Sequence, residues 1–192
     1  YSMWYLIIQH EWYVHNGNID FLRHHRAYIT GVIDRIDECV DEEGNENLAK
    51  QRFLDWPSSP NQPGVEAGCR ALLSWALKDA EVLCNLLEEQ EHAKKCRAIS
   101  KRLKKQIKQP NGLKQAAALM SIAGLMKPEQ ACSEVISVDG AKDFSTFYGY
   151  YMLQALAQAG EYQQALDIIR QYWGGMLDLG ATTFWEDFNL DW

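Results

Sequence analysis

Two short segments of this sequence combine carboxylates with large aromatic rings. The first is Arg52-Phe53-Leu54-Asp55-Trp56-Pro57, followed by further prolines at Pro60 and Pro63. The second is Gly180-Ala181-Thr182-Thr183-Phe184-Trp185-Glu186-Asp187-Phe188, shortly after Gly174-Gly175, which reads as a hinge. Aromatic faces stack on the C–H faces of sugars, carboxylates bond sugar hydroxyls, and glycoside cleavage uses two carboxyl groups flanking the bond. Glu186, like any carboxylate that takes a proton from water, would have to be ionised to do so. Phe184, Trp185 and Phe188 would desolvate it and raise its pKa toward neutrality, and Asp187 would add like-charge repulsion or face solvent. The plainer alternative is structural: acid-and-Trp loops often brace a fold, and Glu186 would then cap or bridge helices.

Other chemical signals are weaker. His10-Glu11-Trp12-Tyr13-Val14-His15 imitates the zinc-protease H-E-x-x-H pattern with one residue too many. That extra residue turns the two imidazoles apart on a helix, so no metal site is expected. His24 and His25 point to different sides of a helix. Lys94, Lys95, Arg97, Lys101, Arg102, Lys104, Lys105 and Lys108 surround a narrow apolar stripe and read as a solvated outer face rather than a nucleic-acid surface. No phosphate-binding loop, dinucleotide fingerprint or G-x-S-x-G elbow occurs, and no cofactor is expected.

The elements that must carry these segments read as helix after helix. Ser2 to Asn16 is apolar nearly all round, and the next stretch carries a single stripe at Leu22, Ile29, Val32, Ile33, Ile36 and Val40. The alternation recurs: Gly68 to Leu87 broad, His92 to Lys108 narrow, Gln115 to Met126 broad and small. A short helix from Pro128 to Ile136 follows, then Phe144 to Ala159 broad, and a stripe from Tyr162 to Trp173. An all-round apolar helix is buried on several sides, whereas a striped one buries a single face. The expected fold is therefore all-α, a single domain of about four inner/outer hairpins. Residues 157–166 also resemble a tetratricopeptide hairpin. The turns at Gln90, Lys127 and Gly160 lie 37 and 33 residues apart, near the ~34-residue period of such repeats, so a non-catalytic helical-repeat scaffold is the competing class.

Links within hairpins are short, but two links between hairpins are long, one from about Asp41 to Pro63 and one from Gly174 towards Trp192. In a layered ring both lie on one rim, which predicts that Asp55, Trp56 and Glu186 converge there. Long loops on a rigid scaffold commonly carry binding sites.

With 192 residues, 47% of them hydrophobic, the chain can bury a core. Its net charge of −7 argues against general binding to nucleic acid or anionic membranes. No apolar run approaches the roughly 18 residues of a membrane helix. The cysteines number five, include no CxxC pair, and are expected as free thiols.

The segment Gly180-Ala181-Thr182-Thr183-Phe184-Trp185-Glu186, after Tyr172-Trp173-Gly174-Gly175-Met176, resembles the late catalytic-domain motif of bacterial α-L-rhamnosidases. Leu54-Asp55-Trp56 resembles the family's Gly-Asp-Trp segment, with Leu54 in place of Gly. Phe147-Tyr148-Gly149-Tyr150-Tyr151-Met152-Leu153 and the Ala159-Gly160-Glu161-Tyr162 turn fit as well. The resemblance implies an incomplete (α/α)6 toroid, the middle part of a catalytic domain, acting by inverting hydrolysis of terminal α-L-rhamnosyl groups. It implies Glu186 as the base, and Asp55, Trp56 and Trp185 as sugar-binding residues. The general acid is expected upstream of the matched region, in the rest of a longer bacterial protein, cytoplasmic or periplasmic. This chain alone is therefore expected to be inactive and to self-associate through flanks left open at Trp4, Ile7, Ile8 and Trp12 and at Phe184, Trp185 and Trp192.

Overall fold

The computed structural model describes residues 1–48 and 52–192. Residues 49–51, part of the first expected long link, lie outside the described residues. The described residues are all-helical. They contain no strand, only an isolated antiparallel bridge between Val40 and Glu46. The helices are α1 (Ser2–Asn16), α2 (Ile19–Cys39), α3 (Gln62–Leu86), α4 (Gln90–Leu103), α5 (Lys114–Ile122), α6 (Pro128–Ala131), α7 (Thr146–Gln158) and α8 (Tyr162–Asp178), with a π turn, Cys132–Ile136, continuing α6. They cluster into two compact units, one of residues 1–48 with Leu72–Ile107 and one of Arg52–Ala71 with Lys108–Trp192.

In the first unit, Gly17 ends α1 in the left-handed conformation (φ 65°), its N–H returning to the Tyr13 carbonyl. Glycine enters that region without steric cost. Asn18 then caps α2, its side chain accepting from the N–H groups of Asp20 and Phe21 at 3.1 Å each. Leu22, Ile29, Val32, Ile33 and Ile36 form the buried face of α2, and Ala93, Cys96, Ile99 and Leu103 that of α4; Ile107, expected on the same stripe, lies beyond the end of α4 and is exposed. Arg102 bridges α4 to the end of α2, bonding the Val40 carbonyl at 2.9 Å and the Asp37 carboxylate. Part of the basic run is thus committed to ion pairs with α2. Helix α1 is less enclosed than its composition predicts. Only Leu6, Ile7 and Gln9 are buried, while Ile8 and Val14 face solvent. All five cysteines are free thiols, and Cys84 and Cys96 stand side by side within hydrogen-bonding reach.

The second unit is built on α5, whose residues from Lys114 to Ser121 are all buried. The run Ala116-Ala117-Ala118 lets neighbouring backbones approach. α6, its π turn and α7 pack on it, and α7 pairs with α8. Helix α8 buries one side only, but not the expected stripe: it turns the i, i+4, i+8 line of Ile168, Tyr172 and Met176 inward, and of the expected residues only Tyr172 is buried while Tyr162, Leu166 and Ile169 face solvent. Several expected boundaries move, with α4 ending at Leu103 rather than Lys108 and α5 at Ile122 rather than Met126. α3 begins at Gln62 rather than Gly68, because Pro63 sits in the first turn, where its missing N–H is no loss. Gly174-Gly175 is not a hinge. α8 runs through it to Asp178, and the bare backbone of Gly175 makes room for the Phe188 ring, 3.1 Å from where a Cβ would stand.

Candidate functional site

The first aromatic–acid segment folds into a tight turn around Asp55. The carboxylate accepts the Ser58 N–H at 3.0 Å, and the hydroxyls of Ser58 and Ser59 both donate to the Asp55 carbonyl at 3.0 Å. Such side-chain-closed turns are the usual use of Asp and Ser between prolines. The other carboxylate oxygen, Oδ2, accepts Gln115 Nε2 at 3.0 Å and the Ser145 hydroxyl at 2.6 Å. Gln115 and Ser145 are almost wholly buried. Asp55 is therefore an anion held by three donors, a strong arrangement because each bond is charge-assisted. Leu54 is buried beside Gly68 of α3, where a Cβ would lie 2.5 Å from Leu54 Cδ1.

Ser145 sits at the N-cap of α7 but makes no capping bond, since its hydroxyl is given to Asp55. The next hydroxyl, that of Thr146, donates to the Trp185 carbonyl. The two long segments thus meet at consecutive residues, at one end of α7. Lys114, at the start of α5, holds the approach to α7 by donating to the carbonyls of Val138 at 2.6 Å and Gly140 at 2.7 Å, with its ammonium over the Phe144 ring. Burial pushes its pKa down to about 8, against the opposing charges of Asp143 and Asp139.

Phe188 turns inward, packing edge-on against Tyr172 at 5.3 Å and beside Trp185 at 6.0 Å. The Tyr172 hydroxyl is buried without a hydrogen bond of full geometry. Burial raises its pKa and the charges of Asp187 and Asp55 push the same way, while Thr146 beside it pulls down. That Asp55 and Asp187 both act on one phenol is a second sign that the two segments lie close together.

Glu186 lines an open cleft of about 470 Å³ with Thr146, Phe147, Tyr150 and Tyr151. The aromatic enclosure expected from its own segment does not form. Glu186 is exposed, Phe184 extends into solvent, and Phe188 is committed to the core. The rings beside Glu186 come from α7 instead, Tyr151 lying edge-on to both Phe147 (5.7 Å) and Tyr150 (5.1 Å). Asp55, Trp56 and Trp185 do not line this cleft. Trp56 is exposed and packs edge-on against Phe53 at 5.0 Å, and Trp185 contributes its carbonyl to the junction. Sequence reasoning missed Gln115, Ser145 and Thr146, for which no local signal exists. Phe147, Tyr150 and Tyr151 did carry one, aromatic residues at i, i+3 and i+4 on a helix already dense with apolar side chains.

Among the described residues, no three His, Cys, Asp or Glu side chains are grouped so as to hold a metal ion. His10 of the imitation zinc motif pairs with Asp79, Nδ1 to Oδ1 at 3.1 Å. Burial lifts Asp79 to about 6, with His10 opposing the rise and Glu11 adding to it. No helix among the described residues is long and apolar enough to cross a membrane. No family model, no curated protein and no solved structure matches the chain.

Proposed function

We propose that the chain is part of an inverting α-L-rhamnosidase catalytic domain, its hairpins contributing to an (α/α)6 toroid, with Glu186 as the general base. The observation that carries this reading is the junction at the head of α7. Ser145 holds the Asp55 segment and Thr146 the Trp185-Glu186 segment, so two acid-bearing loops share one helix end beside an aromatic cleft. A helical-repeat scaffold has no need of two long segments tied to one point, which favours the enzyme. Glu186, open to water and flanked by rings on α7, suits a residue that activates water against a sugar held in the cleft. Three protein donors already occupy the Asp55 carboxylate, so in this reading it positions the loop and the helix end. The sugar is a terminal α-L-rhamnosyl group, and the leaving oxygen is protonated by an acid upstream of the matched region.

The test is Glu186→Gln in the parent enzyme, assayed on an aryl α-L-rhamnoside. The substitution keeps the shape and removes the base, so turnover should fall about 10²–10⁴-fold while sugar binding largely survives. Near-normal turnover would reject Glu186 as the base.

A further inference from the structure

We infer that the outward face of α8 is a docking surface for a second copy of this chain, the two α8 helices lying antiparallel about a two-fold axis near Ile169. The surface is read from α8 itself and does not rest on the glycosidase reading. Tyr162, Leu166, Ile169, Trp173 and Leu177 follow one another at steps of four, three, four and four residues, close to the spacing of a helix–helix seam. Among the described residues, the contacts that seat α8 lie on its other side. Ile168, Tyr172 and Met176 are buried there, Gln164 accepts the Ser137 hydroxyl at 2.7 Å, and the Phe188 ring sits against Gly175. Trp173 lays its ring against Gly149 of α7 and is half-buried. The rest of the row stays in water: Tyr162 is 66% exposed, Leu166 48%, Ile169 40% and Leu177 58%. A contiguous apolar row of this length marks an interface rather than scattered surface residues.

Charge selects the occupant. The chain carries a net −7, so most surfaces of two copies repel one another. Helix α7 has no charged residue, and α8 has only Asp167, Arg170 and Asp178. Asp167 and Arg170 stand on one flank of the row and bond each other at 2.7 Å. Within one helix such an exposed pair contributes little. When two copies align antiparallel, the same flank of each faces the other, which brings Asp167 of one copy towards Arg170 of the second, twice over. An alignment centred near Ile169 also sets Tyr162 beside Leu177 of the second copy and Leu166 beside its Trp173. The face is thus complementary to itself in both apolar row and charge, which is what a closed two-fold dimer requires.

The experiment is sedimentation equilibrium of the 192-residue chain combined with site-directed cross-linking. Leu166→Glu and Ile169→Glu should each raise the dimer Kd at least about 10-fold, the value of one buried aliphatic side chain. Both positions are exposed, so circular dichroism should report an unchanged fold. Asp167→Lys and Arg170→Glu should each weaken self-association, and an equimolar mixture of the two should restore it. Ile8, Phe184 and Trp192 offer another route to association, so cross-linking reads α8 directly. Four native cysteines are buried and Cys39 is half-buried, and wild type supplies the background. Under mild oxidation Ile169→Cys should give a covalent dimer, whereas Ile107→Cys, exposed in the other unit, should not. Tyr162→Cys mixed with Leu177→Cys should give the mixed dimer in preference to either self-pair. A chain that stays monomeric overturns the inference. So does association that survives both glutamate variants, or self-pairing by Tyr162→Cys, which would make the helices parallel. None of these outcomes bears on Glu186 as a base, which the turnover assay tests by itself.

Discussion

The Asp55 carboxylate accepts a 2.6 Å hydrogen bond from the hydroxyl of Ser145, 90 residues further along the chain. Ser145 would ordinarily spend that side chain on capping α7. Giving it to Asp55 ties a proline-bounded turn to the helix that bears the aromatic cleft. The adjacent Thr146 makes the matching tie to Trp185.

Asp55→Ala should destabilise the chain by about 1–3 kcal/mol, because it leaves the buried donors of Gln115 and Ser145 without an acceptor. Chemical denaturation of wild type and variant, with the slope checked for constancy, gives the value. An unchanged midpoint would show that the network is incidental.

Gly68→Ala should also destabilise, by about 1–3 kcal/mol, the usual range for overpacking. The new methyl group would stand 2.5 Å from Leu54 Cδ1 and 3.3 Å from the Ala116 Cα, so Leu54 has to move and Asp55 follows it. The double variant Gly68→Ala/Leu54→Ala should lose less than the two single effects combined. Strict additivity in a double-mutant cycle would refute the contact.

Burial lowers the Lys114 pKa to about 8 from the ordinary lysine value of 10.5. The unfolded chain therefore binds more protons than the folded one between those two values, and stability rises with pH across that window. The burial penalty on the charged form is fully present below about 8 and is relieved as pH approaches 10.5. Relative to Lys114→Met, the wild-type thermal midpoint should climb over this range. A relative fall would reverse the assigned sign.

Burial raises the Asp79 pKa to about 6, above the ordinary aspartate value of 3.8. Here the folded state binds the extra proton, so this group's contribution to stability declines as pH rises from about 4 to 6. His10 holds the value down through its charge and hydrogen bond, so His10→Gln should move the carboxyl titration upward in a carbon-13 NMR experiment. A downward movement would mean that the pair is not coupled as the geometry requires.

Open apolar surface should make the chain self-associate. Of the flanks expected to be open, Ile7 is fully buried and Trp4, Trp12 and Trp185 are half-buried by their neighbours, which leaves Ile8 on α1 and Phe184 and Trp192 on the closing segment exposed, joined by Val14. Each such side chain forgoes roughly 1.5–3 kcal/mol of burial, and patches of this kind mark interfaces. Light scattering should report an apparent mass that grows with concentration. A monomer at every concentration would remove the expectation.

The all-α class was legible from residue order alone because helix burial is written in a local period. The stripes at Leu22–Ile36 and Cys96–Leu103 each follow from a 3.6-residue turn meeting one apolar neighbour, whereas the buried line of α8, Ile168–Tyr172–Met176, shares only Tyr172 with the stripe its sequence suggests. Lengths of links were legible for the same reason, and they pointed to the segments around Asp55 and Glu186. The helix through Gly174-Gly175 was not, since glycine's local preference for turns yielded to the Phe188 ring seated against it. Nor was the partner of Asp55. Gln115 and Ser145 reach it from 60 and 90 residues away, and hydrogen bonds between side chains leave no periodic trace in the chain. The environment of Glu186 was decided the same way. Its neighbours in sequence, Phe184 and Phe188, are taken by solvent and core, and the rings beside it belong to α7, brought there by helix packing. Residue types near one another in sequence suggest a chemistry, but which of them face a common space depended on long-range packing that only the folded chain specifies.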